Sequence, residues 1–125
     1  MADLKNIALT IEASQTANDL KHWLGISEQM DRIRLGFAYA IENNVDLNRD
    51  GGFGIRGGSN YDTGGLDHDG LMAETVKIYY PAPDVLAEPY RAVETLMNKG
   101  LLLLGEHWTQ GVIGSVSDLV DRDSD

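Results

Sequence analysis

The sequence predicts a mainly α-helical domain opened by one short strand, and three observations carry that prediction. Residues 13–24, 28–42, 71–79 and 89–104 repeat apolar side chains at helical spacing. The stretch Asn6 to Glu12 (NIALTIE) alternates with the period of two of a strand. Eight of the 14 glycines fall between Gly51 and Gly70, a composition too costly in backbone entropy for a regular element.

In the opening strand Ile7, Leu9 and Ile11 share one face, and Asn6, Ala8, Thr10 and Glu12 the other. A lone strand leaves its backbone groups unmet, so the spacing predicts a partner strand from a second copy of the chain. The first helix carries Ala13, Ala17, Leu20 and Leu24 on one stripe, with Thr10 or Ser14 as N-cap and Gly25 as its left-handed terminator. Ser27 is the expected cap of the second helix, about Glu28 to Glu42, where Glu28 and Asp31 suit the positive end. Met30, Ile33, Phe37, Ala40 and Ile41 line one face of that helix, yet Leu35, Ala38 and Tyr39 are apolar too. A helix greasy around its circumference is covered on two sides, and the second side is assigned to another subunit. The expected architecture is therefore a ribbon-helix-helix-like start, a long glycine-rich loop, two further helices and a homo-oligomer.

Residues 45–70 read as a glycine-rich surface loop within a single domain spanning 1–125. Asp69 can cap a helix through Leu71, Met72, Val76 and Tyr79, although Thr75 to Tyr80 also suits a strand. In the last helix Pro89 fits the first position, and Tyr90, Val93, Leu96, Met97, Leu101 and Leu104 form the apolar face. Gly100 inside that helix costs about 1 kcal/mol against alanine, which points to close helix packing. Residues 115–125 are an acidic tail in which Asp118, Asp121, Asp123 and Asp125 face only Arg122.

Charge and cysteine usage narrow the function classes. Twenty acidic and 10 basic residues give a net charge of −10, so any nucleic-acid contact must be local. With no cysteine, disulfides, thiolate metal sites and cysteine nucleophiles are excluded. The start of the chain lacks a secretory pattern and no apolar run approaches a membrane span, which predicts a cytoplasmic protein without membrane contact.

Motifs that could carry chemistry are incomplete. Asp46 to Gly51 (DLNRDG) matches the first half of a calcium loop through Asp46, Asn48 and Asp50. The twelfth position is Gly57 where a bidentate glutamate is needed, so an Asn/Asp-rich turn is preferred. Gly52 to Gly57 (GFGIRG) spells a dinucleotide fingerprint but follows a helix and a turn in place of a strand. Asp67-His68-Asp69 alternates direction along an extended loop, and His107 with Ser117 lacks a nucleophile turn, so solvated turn residues are preferred to a metal or a triad. No cofactor and no catalysis are expected. For nucleic acid the candidates are Lys5, Lys21, Arg32 and Arg34 in the strand-helix-helix unit, with Arg49 and Arg56 in the loop. Trp23 and Trp108 suit packing better than base stacking.

Several segments together resemble the DNA sulfur modification protein DndE family: residues 9–14 (LTIEAS), Leu20-Lys21 before Gly25-Ile26-Ser27, 34–38 (RLGFA), Tyr90-Arg91-Ala92, 98–104 (NKGLLLL) and Ser117-Asp118-Leu119. The resemblance implies a compact helical homo-oligomer, an accessory subunit of the bacterial machinery that replaces a non-bridging phosphate oxygen of DNA with sulfur. It further implies contact with nicked double-stranded DNA through surface lysines, Lys21 among them, and action beside a sulfurtransferase-like subunit and an ATPase. The competing reading is a dimeric ribbon-helix-helix regulator or antitoxin-like protein with Asn6, Ala8 and Thr10 turned into a major groove. Ala8 and Glu12 are poor base readers, which disfavours it.

Overall fold

Helix α6 (Pro89–Thr109) is the axis on which the molecule is built, in a computed structural model that describes residues 3–49 and 53–112. The other elements are β1 (Asn6–Ala8), α1 (Ile11–Trp23), α2 (Gln29–Glu42), β2 (Asn60–Asp62), α3 (Thr63–Leu66), α4 (Leu71–Tyr79) and α5 (Pro83–Ala87). At about 1.5 Å per residue α6 is long enough to give each of the other larger helices a place along it. From Ala92 to Asn98 every residue is buried, because α1, α2, α4, α5 and β1 all pack against it. The core is continuous from Ile7 and Leu9 through Leu20, Ile33 and Phe37 to Leu96, Leu101 and Leu104.

The α2–α6 crossing accounts for most of the apolar surface of α2 within the chain. At the crossing two glycines meet: a Cβ on Gly100 would overlap the Gly36 carbonyl oxygen and stand 2.7 Å from its carbon. The backbones therefore touch, and Ile33, Phe37, Tyr39 and Ala40 are buried within the chain. The expected close packing at Gly100 is present. The inference of a covering subunit loses its main support, because Tyr39 is buried within the chain, although Leu35 is half-buried and Ala38 exposed.

The strand is likewise completed within the chain. β1 pairs antiparallel with β2, Ile7 opposite Tyr61 and Ala8 opposite Asn60, so the partner strand comes from the glycine-rich region and not from a second copy. The pairing continues past the strands, with Leu9 N–H donating to Ser59 and Gly58 N–H to Leu9. Alternation ends early. Ala8 and Thr10 are buried along with Ile7 and Leu9, whereas Ile11 already belongs to α1 and is exposed.

Local signals succeed at α1 and fail at α2. Thr10 caps α1, its hydroxyl accepting from Ala13 N–H, and Gly25 follows the helix with φ of 70°. Thr10→Ala is expected to lower stability by about 1 kcal/mol, the usual worth of such a cap, read as a shift in urea midpoint at constant slope. Ser27 does not cap α2; Glu28 holds that position without a side-chain bond. The turn is fixed by Arg32, whose Nη1 donates to the carbonyls of Ile26 and Ser27 at 2.9 and 2.7 Å. For α4 the helical alternative is the one observed, and α3 and α5 are additional short turns. Asp50 and the acidic tail lie outside the described residues.

Candidate nucleic-acid interface

The basic side chains proposed to meet DNA divide into two groups. Lys5 and Lys21 are exposed, one before β1 and the other in the last turn of α1, roughly 15 Å along that helix from its start. Arg32 is buried at 6% exposure and is part of the α1–α2 turn. Arg34 is half-buried; its Nη2 donates to the Leu66 carbonyl at 2.8 Å and its Nη1 stands 3.6 Å from Asp31. The four therefore do not form one basic face: two are structural and two are separated along the surface.

The loop arginines are drawn to a carboxylate that sequence reasoning did not single out. Glu94 on α6 is fully buried. Its Oε2 accepts from Arg56 Nη2 at 2.9 Å and from the Ala8 N–H at 2.9 Å. Arg49 Nη2 stands 2.9 Å from Oε1, an ion-pair contact outside hydrogen-bond alignment. Arg49 also donates to Thr95 Oγ1 and the Arg91 carbonyl, and its guanidinium lies 4.5 Å above the buried Phe53 ring. Burial lowers the Arg49 guanidinium from its usual value, and Glu94 works against that shift. One turn on, Asn98 accepts from Thr10 N–H at 2.7 Å and donates to the Ala8 carbonyl at 3.0 Å.

Glu94 and Asn98 thus imitate a third strand. Ala8 and Thr10 turn these backbone groups away from β2, toward the edge that a ribbon-helix-helix dimer would use for its partner, and side chains from α6 satisfy them. The signal for this pair was present in the sequence: two polar residues four apart, Glu94 and Asn98, alternate with Val93, Met97 and Leu101 on the apolar face of a helix. A polar pair in that position needs buried partners.

The other candidate clusters are also committed to the fold. Asp46 Oδ1 accepts from Asn48 N–H at 2.9 Å and from Lys99 Nζ at 2.7 Å, and the Lys99 bond holds its carboxyl below the usual value. Asp67 is 5% exposed; its two oxygens accept from Met72 and Ala73 N–H, so it caps α4 where Asp69 was expected to do so alone. Asp69 contributes a weaker bond to Leu71 N–H at 3.2 Å. Among the described residues no group of three His, Cys, Asp or Glu could hold a metal ion. His107 hydrogen-bonds the Tyr39 hydroxyl, and Trp23 stacks on Trp108 with centroids 5.1 Å apart.

Tyr90 donates to Asp67 Oδ2 at 2.9 Å, and burial together with that carboxylate pushes its phenol up to about 12. A raised folded value means that its stabilisation is whole below the ordinary 10.0 and disappears as pH climbs toward about 12. Ultraviolet titration should show a late phenolate that Tyr90→Phe removes. The stability gap between the two proteins should narrow across that window; ionisation of every tyrosine together near the ordinary value would contradict the assignment.

A small cavity of about 180 Å³ is lined by Arg49 and Arg91 together with Asp84 and Glu88, so its charges balance. The class defined by these features is a mainly helical protein with a two-stranded ribbon sealed by its longest helix. No helix among the described residues is long and apolar enough to cross a membrane. Comparison of the chain with protein-family models, curated proteins and solved structures finds no match.

Proposed function

We propose that this chain is a non-catalytic accessory subunit of a bacterial DNA phosphorothioation complex, acting in the cytoplasm mainly as a scaffold for the other subunits of that machinery. The observation that carries the reading is where the family-like segments fall. Residues 9–14, 34–38 and 98–104 hold the Thr10 cap, Gly36, and Asn98 with Gly100, which meet one another around α6. Three of the six family-like segments therefore meet in one packed unit, while Lys21, Gly25, Ser27 and Arg91 of the others are exposed and 117–119 lie outside the described residues. Buried Glu94, Asn98 and Asp67 serve backbone and ion-pair partners, a structural use of polar groups that suits an accessory role.

Direct contact with nicked double-stranded DNA is the lesser part of this proposal, resting on Lys5 and Lys21 against an overall charge of −10. If copies of the chain assemble, the surface for it is the exposed apolar set Leu71, Ile78, Tyr79 and Leu86 on α4 and α5. The ribbon-helix-helix regulator is the weaker alternative, because the β1 edge it needs is occupied by Glu94 and Asn98.

Tagged protein expressed in its native host should co-purify with a sulfurtransferase-like subunit and an ATPase; recovery of neither would end the phosphorothioation reading. Light scattering should report more than one copy per particle. Salt titration against a nicked duplex should give weak affinity that vanishes with salt, while no binding at low salt would remove the DNA contact and leave the scaffold.

A further inference from the structure

Helices α1 and α6 run side by side in the same direction: Thr10, which caps α1, meets Asn98, and Trp23 at the other end stacks on Trp108. An open groove of about 460 Å³ lies between them on the surface. Along its floor the helices come close, since a Cβ on Gly105 would stand 2.9 Å from Thr16 Oγ1. Half-buried Leu102 and Trp23 supply apolar walls. Among the described residues, the only charged ones lining it are Glu12 and Asp19 on α1 and Glu106 on α6.

None of these three carboxylates is ion-paired among the described residues. Asp19 accepts from Gln15 Nε2 and Glu106 from Gln110 Nε2, each at 3.3 Å. The C-terminal ends of both helices lie beside the tryptophan pair, so two parallel macrodipoles add negative partial charge at that end. Lys21 is on the opposite flank of α1 by helical spacing and does not neutralise the groove.

We propose that this groove docks a basic amphipathic helix from a partner protein. From Glu12 to Trp23 the α1 wall spans roughly 16 Å, about three turns of an incoming helix at 1.5 Å per residue. Apolar anchors at i, i+3, i+4 and i+7 would cover Leu102 and Trp23, and flanking lysine or arginine would meet the three carboxylates. Nucleic acid is the wrong sign for this surface. A second copy of the chain is a poor occupant, since it brings a further −10 of net charge. The inference goes beyond the phosphorothioation reading and stands or falls without it.

The test uses the full chain alone, with neither DNA nor any other subunit. The probe is a synthetic helix of about fifteen residues with leucine on the anchor positions and lysine elsewhere. Controls replace lysine with glutamate or scramble the order. Calorimetry should detect the lysine peptide, tryptophan fluorescence should change, and amide shifts should concentrate in residues 12–23 and 102–110. The triple variant Glu12→Gln, Asp19→Asn, Glu106→Gln should weaken binding at least about ten-fold with unchanged circular dichroism. The single exposed change Glu106→Lys provides a second reading, with affinity falling in the same direction. No binding at the highest soluble peptide concentration would overturn the proposal, as would equal binding of either control, shifts centred elsewhere, or undiminished affinity in both variants.

Discussion

Replacing Glu94 with alanine is expected to destabilise the protein by about 3–5 kcal/mol, the range for breaking one side of a buried ion pair. Three losses combine. The Ala8 N–H loses its acceptor at a buried strand edge, where an unsatisfied group costs about 1–3 kcal/mol. Arg49 and Arg56 are left facing each other with no carboxylate between them. Truncation also leaves a void where a fully buried side chain stood. Glu94→Gln keeps one oxygen for Ala8 and should lose less, whereas Arg56→Ala should cost least, because that side chain is 44% exposed and solvent screens it. Urea unfolding followed by circular dichroism and by tryptophan fluorescence would rank the three. A glutamate-to-alanine change costing less than about 1 kcal/mol would show that the ribbon does not depend on α6.

Gly100→Ala should be nearly as damaging, although alanine is favoured over glycine in a helix by about 1 kcal/mol. The added methyl meets backbone and not a flexible side chain, overlapping the Gly36 carbonyl oxygen and standing 3.0 Å from the Ala40 Cβ. Relief requires α2 and α6 to separate, and overpacking of that kind costs about 3 kcal/mol at its upper end. A graded series isolates the cause. Gly36→Ala meets the Leu101 side chain, with Cγ at 2.5 Å, so partial adjustment is available and the loss should be smaller. Gly105→Ala meets only the Thr16 side chain, its hydroxyl at 2.9 Å and its Cγ2 at 3.3 Å and no backbone, so a small shift relieves it and the loss should fall within about 1 kcal/mol of the parent. Equal losses at all three positions would mean that helix separation is not what the α2–α6 crossing resists.

Much of the secondary structure was legible because its signals are local. Thr10 and Gly25 bracket α1, Pro89 opens α6, and the apolar period of α2 locates that helix within a residue, whereas α6 runs on to Thr109, five residues past Leu104, the last position of the expected apolar face. Ser27 misled because capping preference is a tendency among neighbours, and the long reach of Arg32 to the Ile26 and Ser27 carbonyls overrode it. The glycine-rich region misled for a different reason. Low propensity said that residues 45–70 form no long element, and none forms among the described residues, yet β2 needs only three residues and its stability comes from β1.

The candidate site was the least legible part. A sequence shows which residues carry charge but not which charges meet, and Arg49, Arg56 and Glu94 lie up to 45 residues apart before folding brings them within 3 Å of one another's oxygens and nitrogens. Arg32 and Arg34 looked available for phosphate for the same reason. Their carbonyl partners are fixed by how the chain turns after α1 and after α3.

Alone, the sequence determined the mainly helical class, the approximate places of the four longer helices, the acidic balance and the need for something to cover the first strand and the second helix. Those properties follow from period, capping chemistry and composition, which act over a few residues. Only the tertiary structure decided what does the covering. Glu94 and Asn98 seal one edge of β1, β2 pairs with the other, and the Gly36–Gly100 contact brings α6 against α2. Hydrogen-bonding need is written in each residue, but the identity of a partner 86 residues away depends on the path of the whole chain.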